Sequence, residues 1–416
     1  MLVNFKMIYN IIISSLVKIL LGVFVVKYLA WSLGVEGFGL IGQLMTLVAV
    51  ICMTSGLGVG SGLIKHLSPS QVGNHDRSEW FSVAITLSVL FSCVVFCIVF
   101  FGAEHISSRF LSGNFAAPIR VFAFIQFAVG IGTLILAEAS SRGCSQIFRN
   151  ANIVGSLIGA LVLTLLVNHY GIDGAAYGVV TMPVIMGFVI IALYLRSRPS
   201  FEICLPKFNY KKSKALLSYS GLTLIGAISV PAAQVLMRDT LSDLYGWGFI
   251  GIWQALIKIS DVYMQLIGVL IIHYALPRFS RDDLKTSVIE LKSFAVFIST
   301  VSIVGLLFVY FTRNQIITVL FTPEFSGAVK LFVPQLIGDF FRILCSVISF
   351  WFVSRGVVKV GLLYEFGQGF LLYLFFEVLI SRSVMNAPLL AHVISYSLIL
   401  FLLVLSFFMY YRRGVK

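Results

Sequence analysis

Asp339 and Arg342 lie in "LIGDFFRIL" (336–344), inside a stretch apolar enough to cross a membrane. A charged side chain at the bilayer centre costs about 3 kcal/mol on insertion scales, so these residues must be compensated or must face something other than lipid. With Gln335, Ser346 and Ser349 they follow 4-3-4-3 spacing, which at 3.6 residues per turn puts all five on one helix face. Gln254, Lys258, Asp261 and Gln265 follow 4-3-4 spacing, and Asn10, Ser14 and Lys18 follow two steps of four. Glu365 and Gln368 add a carboxylate and an amide in a further apolar segment. The pairs Asp339–Arg342 and Lys258–Asp261, each three residues apart, can compensate one another on their own helices. Pairs alone could serve only to pin helices together. A stripe that continues through several spans is more than pinning needs and reads as the wall of a hydrated cavity. His273 and His392, near span ends, read as hydrogen-bonded packing residues, and Lys27 and Glu377 as snorkelling side chains.

The elements that must carry these residues follow from composition. The 416-residue chain is 59% hydrophobic and 11% charged, with a mean hydropathy of +1.00, whereas a soluble protein is about 25% charged. Twelve apolar spans can be drawn, at 8–31, 38–63, 80–102, 118–137, 151–168, 175–195, 216–237, 248–274, 293–311, 331–353, 358–379 and 389–410. The first lacks a cleavage-site pattern and reads as a retained helix. With both termini cytoplasmic, twenty Lys and Arg residues fall inside, and six, Arg109, Arg120, Arg238, Arg313, Lys330 and Arg382, fall outside. That asymmetry satisfies the positive-inside rule and accounts for the net charge of +13 without invoking nucleic acid.

Two short motifs recur at nearly half the chain length. "GFGLIGQ" (37–43) and "GFIGIWQ" (248–254) open the second and eighth spans, and "SRG" follows the fourth (141–143) and tenth (354–356). They predict two parallel six-span halves, 1–195 and 215–416, joined by a cytoplasmic linker at 196–214. Gly37, Gly39 and Gly42 also satisfy G-x-G-x-x-G, but between two membrane spans that pattern is no nucleotide fingerprint. In "SGLGVGSGL" (55–63) the pairs Gly56/Gly60 and Gly58/Gly62 permit close helix packing or a hinge. The six cysteines show no disulfide or metal spacing, and Cys93 and Cys97 read as packing residues. The chain has no P-loop, G-x-S-x-G or H-E-x-x-H motif, and its outside loops are short.

"SSLVKILLG" (14–22), "GIWQALIKISDVYMQ" (251–265), "LIGDFFRIL" and "LLYEFGQ" (362–368) resemble the Wzx-type flippases of lipid-linked oligosaccharides, the O-antigen and enterobacterial common antigen lipid III flippase family of the multidrug/oligosaccharidyl-lipid/polysaccharide exporter superfamily. The likeness runs over the whole chain, although Lys258 stands where the pattern carries a small residue. It implies an all-α membrane protein with two six-helix lobes in a V around a central cavity, in the bacterial inner membrane. It implies a transporter, without cofactor or metal, that moves an undecaprenyl-pyrophosphate-linked oligosaccharide to the periplasmic leaflet. Lys18, Gln254, Lys258, Gln335 and Arg342 would then bind substrate, and Asp261, Asp339 and Glu365 would couple a proton or another cation. Membrane lipid, a polysaccharide polymerase and a chain-length regulator are the implied partners. The alternatives are an ion-coupled drug antiporter of the same superfamily, which would not need Lys18 or Arg342, and a membrane glycan polymerase or ligase, which would need an essential outside-loop residue.

Overall fold

The computed structural model describes residues 5–67, 74–197, 207–280 and 283–414. In chain order its elements are α1 (Phe5–Ser55), α2 (Val59–Leu67), α3 (Asn74–Phe110), α4 (Ala116–Ile125), α5 (Phe127–Ser141), α6 (Ser145–Ser197), α7 (Tyr210–Leu270), a π-turn (Ile271–Ala275), α8 (Leu276–Phe279), α9 (Leu284–Leu320), a 3-10 segment (Pro323–Leu331), α10 (Phe332–Ser354), α11 (Val358–Ile380) and α12 (Ala387–Gly414). Among the described residues there is no strand. In a bilayer this follows from the need to satisfy every backbone N–H and C=O within the segment itself.

Three helices are too long for one crossing. A straight 53-residue helix such as α6 would measure about 80 Å, against about 30 Å of hydrocarbon. Each of the three is interrupted by a glycine that reverses the chain: Gly34 in α1 (φ 66°, ψ −173°), Gly171 in α6 (φ 57°, ψ −127°) and Gly246 in α7 (φ 72°, ψ 172°). These angles are closed to residues with a Cβ. The reversal in α6 is seen in its packing, where Gly155 meets Met186, Gly159 meets Met182, and Gly178 meets Leu163. In α7, Arg238 and Gln254 stand eight residues on either side of Gly246 and are hydrogen-bonded. Among the described residues, eight helices long and apolar enough to cross a membrane and one pair bent by 42°, α4 with α5, give nine candidate segments, and the three reversals bring these to twelve.

The chain forms two compact units. One holds residues up to Leu33 and Leu40–Ile228; the other holds Gly34–Gly39 and Ser229–Lys416. The start of α7 joins the first unit through Lys212, which pairs with Asp76 and with Glu79 (2.8 Å) and lies 5.0 Å from the Trp80 ring. Burial opposes the Lys212 charge, but hydrogen bonds to Asp76 and Glu79 outweigh it and raise the ammonium above its ordinary value. Much of the linker, including Cys204, lies outside the described residues.

In the first unit the "SGLGVGSGL" glycines pack in two directions. A Cβ on Gly56 or Gly60 would lie 3.1 Å from Thr133 Oγ1 or 3.4 Å from Ala137 Cβ on α5, and one on Gly58 or Gly62 would lie 3.2 Å from Ser220 O or 3.1 Å from Leu216 O on α7. The helix also breaks there, at Leu57 (φ 47°) and Gly58 (φ 63°). The core of this unit gathers Val59, Leu63, Phe81, Leu134, Ile190 and Leu216. The second unit centres on Phe279, Phe294, Ile343, Trp351 and Phe352. Both copies of "SRG" end their helix in the same way: Gly143 (φ 73°) and Gly356 (φ 77°) are left-handed caps, with Cys144 N bonded to Ala139 O (2.9 Å) and Val357 N to Phe352 O (3.0 Å).

Large exposed apolar residues such as Phe101 (79%), Trp31 (71%) and Leu363 (71%) would be a liability in water and form a lipid-facing surface here. Cys93 and Cys97 share that exposure, contrary to the packing role expected of them. Replacing Gly178 by leucine, where a Cβ already lies 2.9 Å from Leu163 Cγ, is expected to destabilise the first unit by roughly 1–3 kcal/mol, read as a lowered Tm in detergent.

Candidate functional site

The polar stripes of the second unit converge. Asp339 on α10 is fully buried, and its carboxylate collects four side chains. Ser260 Oγ donates to Oδ2 at 2.6 Å, Gln335 Nε2 donates to Oδ2 at 3.1 Å, and the Tyr263 hydroxyl donates to the same oxygen. His392 Nε2, from α12, lies 3.0 Å from Oδ1. The histidine fits because residue 338 has no side chain. A Cβ on Gly338 would sit 2.8 Å from His392 Nε2 and closer still to Cδ2, so the imidazole occupies the methyl's place against α10.

Asp339 therefore pairs with His392 on another helix rather than with Arg342, its expected partner one turn away. Arg342 lines an adjoining pocket with Gln234, Trp253, Asp261, Gln335, His392 and Tyr396. Its guanidinium carbon is 5.9 Å from the Tyr396 ring centroid. The charges of Asp339, Asp261 and Glu365 act on it, and among the described residues its guanidinium makes no hydrogen bond. Behind it, Ser346 Oγ lies 3.1 Å from Tyr364 OH, and Tyr396 OH donates to Gln368 Oε1 at 2.9 Å. Gln368 Nε2 donates in turn to Glu365 Oε2 at 2.9 Å. The result is a recess lined by Trp253, Tyr396 and the Arg342 guanidinium.

On α7, Lys258 Nζ is 3.2 Å from Asp261 Oδ2, the pairing that the spacing predicted. Gln254 is buried and accepts from Arg238, whose guanidinium also lies 5.5 Å from the Trp253 ring. Arg238 is a correction. The charge asymmetry puts it among the outside cations, yet it is fully buried in α7, two turns before the Gly246 reversal. Gln265 is exposed and stands apart from the network. Lys18 lies exposed on α1 in the first unit, with Ser14 buried one turn earlier. Among the described residues no group of His, Cys, Asp and Glu is arranged to hold a metal.

Of the residues singled out by pattern, Gln254, Lys258, Asp261, Gln335, Asp339, Arg342 and Glu365 thus share one unit. Arg238, Ser260, Tyr263, Tyr396 and His392 join them without having been expected. The signal for Arg238 was available: it and Gln254 are equidistant from a glycine that must turn the chain. The signal for His392 was not, since it depends on which helix packs against Gly338.

Known proteins bear on this arrangement. The family described as "Polysaccharide biosynthesis protein" matches residues 28–330. The lipid III flippase of Escherichia coli (strain K12) is 28% identical over 410 residues, 96% of this chain and 97% of that protein, and the lipid III flippase of Shigella flexneri matches equally. Among solved structures, an inward-facing multidrug resistance MATE family transporter of the MOP superfamily superposes with a TM-score of 0.75 at 12% identity, over 94% of this chain and 98% of that one. The lipid II flippase MurJ, in an inward closed conformation, superposes at 0.74 and 14% identity, over 97% of this chain and 87% of that one. These structural likenesses show a shared fold. The family match, which spans well over half of the chain, carries further: the chain belongs to the polysaccharide biosynthesis protein family.

Proposed function

We propose that this protein is a flippase for a polyprenyl-pyrophosphate-linked oligosaccharide, undecaprenyl-linked in a bacterial inner membrane, working by alternating access. The observation that carries the reading is the Arg342 recess: a guanidinium that makes no hydrogen bond among the described residues, beside Trp253 and Tyr396, within the second helical unit. A diphosphate is anionic and strongly hydrated, and a guanidinium fork is the side chain best shaped to take it. Sugars need amides and hydroxyls, which Gln234 and Gln335 offer, and flat aromatic faces, which Trp253 and Tyr396 offer. The lipid tail never needs to leave the hydrocarbon. Relatives named lipid III flippase, 28% identical over 96% of the chain, support the same substrate class. MATE neighbours at 11–12% identity bear on the fold alone.

Lys18 and Lys258 are further contacts for the diphosphate, and Gln254 orients Arg238. Asp339 with His392, and Asp261 and Glu365 beside Arg342, are the groups through which an ion gradient biases the cycle. Both termini face the cytoplasm in this reading. The O-antigen unit and the common-antigen trisaccharide are the candidate glycans, and a polymerase and chain-length regulator would receive the product. Expression in strains that each lack one defined flippase is expected to restore one surface glycan, seen on gels of extracted polysaccharide. Failure to restore any glycan, with the protein present in the membrane, would count against the reading.

A further inference from the structure

Two helix breaks in the first unit meet over a group of buried oxygens. α1 ends at Ser55, just before the break at Leu57 and Gly58, and α4 ends at Ile125, where the chain bends by 42° into α5. α3 connects the two breaks. Ser92 Oγ on α3 donates to Ser55 O at 3.1 Å, and Gln126 Nε2, at the α4–α5 bend, donates to Ser92 O at 2.8 Å. Ser88 lies one turn before Ser92 on the same helix. Ser55, Ser88, Ser92 and Gln126 are all buried.

Two of these oxygens are left over. Among the described residues neither Ser88 Oγ nor Gln126 Oε1 makes a hydrogen bond. A buried oxygen without a partner is costly and calls for an explanation. Gly130 marks where a partner would sit. The position its Cβ would take lies 2.9 Å from Ser88 Oγ, 3.3 Å from Ser55 O and 3.3 Å from Ser92 Oγ. A carbon is crowded by three oxygens at that point, whereas a hard cation draws oxygens closer than a carbon can.

We propose that this group is a binding site for a monovalent metal cation, sodium or potassium, with Ser55 O, Ser88 Oγ and Ser92 Oγ as ligands beside Gly130 and Gln126 Oε1 completing the set. The ligands are hard and uncharged, which suits an alkali ion; a divalent ion calls for carboxylates, and none of these groups is one. The polarity also fits. The carbonyl end of α1 carries partial negative charge, and the amide N–H of Gln126 is turned away onto Ser92 O. Ser88, Ser92 and Gln126 stand near the middle of their membrane-crossing stretches, 76–110 and 116–141, where broken helix ends are suited to coordinate a small cation. A cation held there fastens both breaks to α3. The inference goes beyond the flippase reading and does not depend on it.

The test uses the full chain purified in detergent and heated in sodium, potassium or choline chloride at equal ionic strength. One of the two metal salts is expected to raise the Tm saturably, by at least about 2 °C over choline, and equilibrium dialysis with that radiolabelled ion should find one bound per chain. Ser88→Ala removes an orphaned hydroxyl, so its Tm in choline should not fall, yet the response to the metal salt should be lost. Gly130→Ala, whose methyl takes the cation's place, should lose the response as well. Equal Tm values in all three salts would overturn the site, as would a metal-salt response undiminished in both variants. Neither readout needs a lipid-linked sugar, so the site stands or falls apart from the flippase reading.

Discussion

Arg342→Ala is expected to abolish delivery of the lipid-linked glycan while the protein still inserts and folds. The guanidinium lies in the recess, over Tyr396, without a hydrogen bond of its own among the described residues. Its loss therefore leaves no buried acceptor unpaired, and stability should change little. Its loss from the bound complex is another matter. Truncating one partner of a desolvated charge pair costs about 2–5 kcal/mol, which at 1.4 kcal/mol per decade is roughly 30- to several-thousand-fold in affinity. Arg342→Lys keeps a point charge but not the planar fork, so it should retain part of the activity. Surface glycan and folded protein, measured in the same cells, separate the two effects. Wild-type glycan display by the alanine variant would remove Arg342 from the substrate path.

The second large effect is expected at the Asp339–His392 pair. Asp339 is fully buried and held by Ser260, Tyr263, Gln335 and His392. Asp339→Asn puts an amide N–H among groups that donate, so both a stability loss of about 1–3 kcal/mol and a severe loss of turnover are expected. His392→Gln keeps a donor toward Asp339 but not the imidazole ring, so it should fold nearly normally and still transport slowly. Gly338→Ala offers a cleaner probe. In an ordinary helix this change stabilises by about 1 kcal/mol, yet here the methyl occupies the imidazole's place. Slowed transport in a normally folded Gly338→Ala protein would tie turnover to the position of His392. Unimpaired transport in both His392→Gln and Gly338→Ala would reduce the pair to structural glue.

What was legible in the chain depended on how local the cause was. The stripe on α10 could be read because polar residues at helical spacing stand out in an apolar span, and all of it lies on one element. Lys258–Asp261 could be read because both partners share a turn, and the structure has them paired. Asp339 was placed correctly on the polar face but given the wrong partner, because its true partner comes from another helix and enters through a missing side chain at Gly338. Arg238 was misplaced for a different reason. A hydropathy boundary tends to fall at the first charge, whereas this charge is buried with Gln254 and Trp253, and the turn waits for Gly246. The "SRG" repeat is a match of only three letters. It proves to be the same left-handed helix cap used twice, in which glycine is required by φ.

The central claim, that the protein moves a polyprenyl-diphosphate sugar between leaflets, is tested most directly with the purified chain in proteoliposomes. A fluorescent polyprenyl-diphosphate disaccharide in both leaflets is challenged with a membrane-impermeant quencher, with and without an imposed ion gradient and without ATP. The account predicts that protein makes the inner-leaflet pool accessible and that Arg342→Ala does not. Accessibility no greater than in protein-free vesicles, or equal for wild type and Arg342→Ala, would contradict it.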